Sequence, residues 1–221
     1  MNYWLLLDRQ QAPAMSAFMP YLHESEFKHA QRLRSLALQQ RYIIGRAVVR
    51  QQLAVQLHCS PLDIELAYNP YQKPLVKNHN HCFFSISHSQ QYTAVAFSST
   101  VIGVDIEHIA PTIDPALLDV MLTTHERPHV QSATDFYAYW CAKEAILKAH
   151  GTGFLTNPLQ LHLHNHQDWT FQAELANQNF YAQCALPVTG LMSCVASPLP
   201  LPDLSPQGWE VLTFSLPKVI H

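Results

Sequence analysis

The chain has 221 residues, 48% of them hydrophobic and 10% aromatic, which supplies enough apolar surface for a packed core and excludes a disordered or fibrous protein. Lys+Arg 13 against Asp+Glu 16 gives a formal net charge of -3, so nucleic acid is not an expected partner. No apolar run approaches the ~20 residues that span a bilayer, and the opening MNYWLLLDRQ has neither a basic lead nor a cleavage-like site. With five scattered cysteines and no C-x-x-C pair, the expectation is a cytoplasmic protein with reduced thiols and no membrane partner.

In chain order, Asn2–Leu7 reads as a strand, and Glu24–His58 carries helical periodicity with a break near Ser35. Leu62–Ala67 follows as a strand, then a loop from Asn69-Pro70 through Pro74. Three β-branched apolar runs, Cys82–Ser87, Tyr92–Phe97 and Ile102–Ile109, predict a meander. Helices are predicted over Pro115–Leu122 and Ala133–Ala149, the second stopped by Gly151-Thr152-Gly153. Beyond them, Leu159–His166, Thr170–Leu175, Phe180–Leu186, Leu191–Ala196 and Glu210–Phe214 read as antiparallel strands. Helices beside a small antiparallel sheet occur twice, so two similar α+β units are expected.

Only 13% of the residues are charged, and they are unevenly placed. Lys28, Arg32, Arg34, Arg41, Arg46 and Arg50 follow one another without an Asp or Glu, and Lys73 and Lys77 come soon after. Such a run is either a solvated helix face or a surface for a small polyanion.

Three short segments could carry chemistry. In Gly103-Val104-Asp105-Ile106-Glu107 the two acids share one strand face. Side by side and desolvated they repel, a conflict that a divalent cation such as Mg²⁺ resolves with hard oxygen ligands, unless both are simply wet. In Trp140-Cys141-Ala142-Lys143-Glu144-Ala145-Ile146-Leu147-Lys148, Glu144 and Lys148 are i,i+4 neighbours, an ordinary surface salt bridge or part of a site. In Ser85-Ile86-Ser87-His88-Ser89, Ser87 and His88 could meet a phosphate, or His88 could serve a nucleophilic serine, although no G-x-S-x-G elbow frames one. His162, His164 and His166 alternate, and His79 and His81 lie close before a strand. Without a cysteine or carboxylate partner they read as exposed side chains, not as a zinc site.

Taken in order, Phe84-Ser85-Ile86-Ser87-His88-Ser89, Gly103-Val104-Asp105-Ile106-Glu107 and Trp140 to Lys148 resemble the three signature blocks of the surfactin-type (group II) 4′-phosphopantetheinyl transferases. The Arg41-Tyr42-Ile43-Ile44-Gly45-Arg46 segment and Lys73-Pro74 resemble that family's N-terminal part, so the likeness spans about residues 24–155. It implies an α+β fold of two pseudo-twofold related halves, here 1–101 and 102–221, each a small antiparallel sheet with helices, with the active site in the cleft between them. It further implies a cytoplasmic, monomeric transferase that moves 4′-phosphopantetheine from coenzyme A to a serine of an apo acyl or peptidyl carrier protein or domain. By the same likeness, Asp105, Glu107 and Glu144 hold Mg²⁺, with Glu144 as base and Lys148 and Asp105 also catalytic. Ser87, His88, Lys143 and Lys148 meet phosphates, and Arg41, Tyr42 and Lys73 meet the adenosine and its 3′-phosphate. Lys28, Arg32 and Arg46 are further coenzyme A candidates, and Glu126 stands where members often carry another acid near the metal. Ser85 stands where Asn is usual and Gln72 where Gly is common. The same groups would also suit a Mg²⁺-dependent phosphohydrolase or a non-catalytic coenzyme A or nucleotide-binding module. No short motif encodes whether a fatty-acid, polyketide or nonribosomal-peptide carrier is served.

Overall fold

The computed structural model describes residues 3–153, 156–200 and 209–211. Strand β1 (Tyr3–Asp8) is followed by helices α1 (Glu24–Gln31) and α2 (Leu36–Leu57), a short hairpin of β2 (Leu66–Tyr68) and β3 (Pro74–Val76), and strands β4 (Phe83–Ser89), β5 (Tyr92–Ser98) and β6 (Gly103–His108). Helices α3 (Pro115–Met121) and α4 (Ala133–His150) come next. Strands β7 (His164–Gln167), β8 (Thr170–Leu175), β9 (Gln178–Val188), β10 (Leu191–Ser197) and β11 (Trp209–Val211) complete an α+β fold.

The predicted break near Ser35 is a helix cap: the Ser35 hydroxyl accepts the Leu38 N–H at 3.2 Å and opens α2. Ser132 opens α4 in the same way, and Gly151 closes it in the left-handed region at φ 94°. The strand predicted over Leu62–Ala67 is shorter, because Pro61–Asp63 forms a capped 3-10 turn first.

Two sheets result, in the orders β11-β1-β5-β4 and β6-β10-β9-β8-β7. The predicted meander is therefore corrected: β5 already pairs with β1 and β4 on its two edges, so β6 leaves for the second sheet and pairs with β10. Residues 99–102 make that crossing. The last strand is also corrected: β11 is no antiparallel neighbour of β10 but runs parallel to β1 in the first sheet, while residues 212–214 lie outside the described residues.

Period-two alternation sorts the apolar side chains into layers. Leu5, Leu7, Val95 and Phe97 pack on α2 through Ile44 and Val48. Trp4, Leu6, Ala94 and Ala96 face Val104, Ile106, Leu191 and Val195 between the sheets. Met192, Cys194 and Ala196, on the opposite face of β10, meet α4 at Phe136, Ala142 and Ala145. The layer order is α2, first sheet, second sheet, α4. Among the described residues no helix is long and apolar enough to cross a membrane.

Helix α4 crosses β6 in close contact, and Gly103 is what permits it. A methyl group there would stand 1.9 Å from the Ala145 carbonyl oxygen and 2.5 Å from the Ala149 nitrogen, both backbone atoms. Gly103→Ala must push the helix off the strand, and a loss of about 1–3 kcal/mol in urea denaturation is expected, as for overpacked cores. Unchanged stability would mean that α4 can move freely.

Candidate active site

With Val104 and Ile106 turned between the sheets, Asp105 and Glu107 face α4. Asp105 is buried and Glu107 half-buried. Opposite them stand Glu144 and Lys148, one turn apart on the helix. The Lys148 ammonium lies 2.6 Å from Asp105 Oδ1 and also donates to Ser87 Oγ at 2.9 Å and the Val104 carbonyl at 3.2 Å. Lys148 thus pairs across the cleft with Asp105, and the i,i+4 surface pair with Glu144 that the sequence allows is not what the fold forms.

Three carboxylates share one cation, so charge remains. Burial, then the neighbouring Asp105 charge, pushes Glu144 up to about 7, and the same two causes push Glu107 up to about 7. Asp105 Oδ2 and both Glu144 oxygens are buried and accept no hydrogen bond. Uncommitted anionic oxygens in a desolvated site suit a hard cation that takes few carboxylates together with substrate phosphate. Among the described residues no three His, Cys, Asp or Glu side chains already stand as a closed ligand cluster. The donor set fits Mg²⁺ through its open oxygens, not through a finished cage.

On the other face of β4, His88 points towards α2, where Gly45 leaves room for its ring. Consecutive strand residues project oppositely, so Ser87 and His88 form no catalytic pair. The His88 Nδ1 instead meets Thr93 Oγ1 at 2.9 Å. Burial, then the charges of Arg41, Arg9 and Lys148, lowers His88 to about 2, which keeps its ring neutral. Arg9 carries no sequence signal as a site residue. Its guanidinium donates to Thr93 Oγ1 at 2.7 Å and to the Tyr92 and Gln90 carbonyls, fixing the β4–β5 turn and adding positive charge. Arg41 is exposed at the start of α2 and lies in the field of Glu107.

Beside this cluster a cavity of about 190 Å³ is lined by Tyr71, Lys73 and Pro74 from the β2–β3 hairpin, Ile86 of β4, and Glu144 and Lys148 of α4. Lys73 ties the β2–β3 loop to α4: its ammonium donates to the Ile102, Lys148 and Ala149 carbonyls at 3.3, 2.6 and 3.1 Å, the last two at the C-terminal end of α4. Asn69 donates to the Gly151 carbonyl at 2.9 Å from the same loop. Burial lowers Lys73 to about 8.

Other predicted residues stand elsewhere. Lys143 is corrected: about 140° round the helix from Lys148, it is fully buried, 2.7 Å from Glu126 Oε2 and 3.0 Å from the Pro158 carbonyl. It cannot meet a phosphate in this cleft. Glu126 is engaged by that lysine and by the Thr123 and Leu163 N–H groups, which removes it from the metal candidates. Ser87 Oγ accepts from Ile106 N and Lys148 and donates to Asp105, so its hydrogen-bonding capacity is full without a phosphate. Arg46 is buried between the Tyr42 and Tyr68 rings and donates to the Tyr68 hydroxyl at 2.8 Å. Lys28, paired with Glu24, and Arg32 are exposed on and just beyond α1. His79, His81, His162 and His164 are exposed, and the His166 side chain lies outside what is described.

A profile of the 4′-phosphopantetheinyl transferase superfamily matches residues 101–189, a stretch that carries Asp105, Glu107, Glu144 and Lys148. The 4′-phosphopantetheinyl transferase Sfp of Bacillus subtilis is 26% identical over 184 residues, 80% of this chain and 82% of that protein. These are likenesses to the 4′-phosphopantetheinyl transferases over part of the chain. The 4′-phosphopantetheinyl transferase ffp of Bacillus subtilis is 31% identical over 142 residues, and the 4′-phosphopantetheinyl transferase HetI of Nostoc is 30% identical over 143. The matched stretches cover 61% and 60% of this chain, and the chain spans about three fifths of the length of these two transferases, 62% and 60%.

Proposed function

We propose that the protein is a surfactin-type 4′-phosphopantetheinyl transferase that moves the 4′-phosphopantetheinyl arm of coenzyme A onto a serine of an apo carrier protein or domain, with Mg²⁺ as cofactor. The observation that carries the reading is the set of buried carboxylate oxygens without donors, at Asp105 and Glu144, lining the same cleft as Lys148 and the neighbouring cavity. An anion-rich site of this kind beside fixed cations suits a diphosphate bridged by a divalent cation.

In the reaction the carrier serine oxygen forms a bond to the β-phosphorus of coenzyme A, and the bond from that phosphorus to the bridging oxygen breaks. Adenosine 3′,5′-bisphosphate departs with the electron pair. Mg²⁺, when held by Asp105, Glu107 and Glu144, supplies Lewis-acid stabilisation of the charge on the phosphoryl oxygens. Glu144, with both oxygens free of hydrogen-bond donors, is placed to take the serine proton, directly or through a water. Lys148 Nζ, steadied by Asp105, Ser87 and the Val104 carbonyl, neutralises the leaving phosphate. Arg41 and Arg9 add long-range attraction for coenzyme A.

The test is to mix the protein with apo carrier proteins, coenzyme A and Mg²⁺ and weigh the carriers by mass spectrometry. Gain of one phosphopantetheine arm supports the reading. Failure across fatty-acid, polyketide and nonribosomal-peptide carriers overturns it. Phosphate release without a carrier would point to a hydrolase, and coenzyme A binding unchanged by Asp105→Ala would point to a non-catalytic module.

A further inference from the structure

Strands β4 and β6 lie side by side at the facing edges of the two sheets, in parallel register, and are joined through serine hydroxyls. Ser85 Oγ accepts the Val104 N–H at 3.0 Å, Ser87 Oγ accepts Ile106 N–H at 3.3 Å, and Ser89 Oγ accepts His108 N–H at 2.9 Å. Three serines at i, i+2 and i+4 share one strand face, so each oxygen stands where a partner strand would offer a carbonyl. A carbonyl has no proton to give, whereas a hydroxyl has one. Ser87 donates it to Asp105 Oδ1 at 2.8 Å, and Ser89 donates it to Glu107 Oε2 at 3.1 Å.

We propose that Ser87 and Ser89 are positioning residues that fix the rotamers of Asp105 and Glu107 and decide which of their oxygens remain open to a divalent cation. The inference rests on the transferase reading above for the identity of that cation's task. Each hydroxyl is held by the β6 backbone N–H that it accepts, so its proton has one direction left. On Asp105 this engages Oδ1, together with Lys148, and leaves Oδ2 buried without a donor. On Glu107 it engages Oε2. A second lysine could orient the carboxylates as firmly, but it would cancel the charge that a cation needs. A neutral hydroxyl orients without cancelling, as outer partners of metal ligands commonly do. Ser85 forms the same bond to β6 but, among the described residues, hydrogen-bonds no carboxylate, which makes it a control built into the strand.

The experiment uses the full chain at saturating coenzyme A and reads Mn²⁺ binding by the electron paramagnetic resonance of the free ion. Ser89→Ala is expected to weaken Mn²⁺ about tenfold, and Ser89→Thr, which keeps the hydroxyl, to restore it. Ser87→Ala gives a second route to the same loss through Asp105. Ser85→Ala removes an equivalent hydrogen bond between the sheets, so it lowers the melting temperature but leaves Mn²⁺ affinity at the parent value. Equal weakening in Ser85→Ala and Ser89→Ala, no weakening in Ser89→Ala, or no Mn²⁺ binding by the parent would overturn the proposal. Arm transfer by the unsubstituted chain is scored separately by mass spectrometry. If Mn²⁺ responds as expected but no carrier gains an arm, the positioning role stands and the transferase reading falls.

Discussion

Glu144→Gln is expected to lose arm transfer by roughly 10²–10³-fold while melting at a higher temperature than the parent at pH 8 in the absence of divalent cations. Both effects have one cause. Glu144 is 2% exposed, and neither of its oxygens accepts a hydrogen bond. Burial first, and the Asp105 charge second, raise it from 4.5 to about 7. An acid whose folded value lies above its unfolded one binds its proton more tightly in the native state. Stability is therefore whole below about pH 4.5, falls as pH rises towards 7, and stays low beyond it. A shift of that size corresponds to roughly 3 kcal/mol. Glu107 shifts in the same direction, but the two share the Asp105 charge, so their costs overlap and do not add. Glutamine keeps the shape and removes the ionisation. The gain in melting temperature should appear at pH 8 and vanish at pH 5. Mg²⁺ should stabilise the parent more at pH 8 than at pH 5 and should do much less for the variant. A variant that melts below the parent at pH 8 would show that Glu144 is comfortable as an anion, and the argument for a cation there would fail.

The chemistry of the cleft was legible in the sequence where it depends on local spacing. Asp105 and Glu107 share a strand face because strands alternate, and Glu144 and Lys148 share a helix face because helices turn every 3.6 residues. What spacing cannot say is which neighbour completes each group. Lys143 sits in the same short motif as Glu144, yet one step along a helix turns it by about 100°, away from the cleft, where a residue 17 positions away receives it. The crossing of β6 into the second sheet was hidden because the link Ser98–Thr100 looks like a hairpin turn. That reading fails only once β1, 84 residues or more earlier than β5, has taken β5's second edge. The serine ladder is invisible for the same reason: a serine's partners are chosen by what packs beside it, and β4 meets β6 only after both sheets are built. The loop that carries Lys73 was legible from Asn69-Pro70 and Pro74, but the three carbonyl partners of Lys73 belong to the far end of α4 and to the β5–β6 link.

Lys143→Met and Lys148→Met should therefore differ in their effect on catalysis, although the two lysines lie five residues apart. Lys143 is 0% exposed and holds Glu126, which also accepts Thr123 N–H at 2.8 Å and Leu163 N–H at 2.9 Å. One ion pair thus ties α4 to the turn after α3 and to the start of the following strands. Removing the lysine leaves a carboxylate buried without a counter-charge, which costs about 3–5 kcal/mol. The lysine itself is held below its usual range by burial, against the pull of Glu126, so the pair is a compromise that only the intact partnership sustains. Urea denaturation should show the loss in Lys143→Met, while the KM for coenzyme A, measured at low temperature where the variant remains folded, stays at the parent value. Lys148 is half-buried on the cleft side with Asp105 and Ser87. Its replacement by Met leaves the buried Asp105 without its counter-charge and so also costs stability, but it should in addition lower kcat by roughly 10²-fold or more, as loss of a charge stabiliser does. Should Lys143→Met prove too unstable to assay, Glu126→Gln removes the same pair from the other side, keeps one carbonyl oxygen for the backbone donors, and should again destabilise without raising KM. A raised KM in either variant, with stability intact, would place Lys143 on the substrate and contradict the burial that separates it from the cleft.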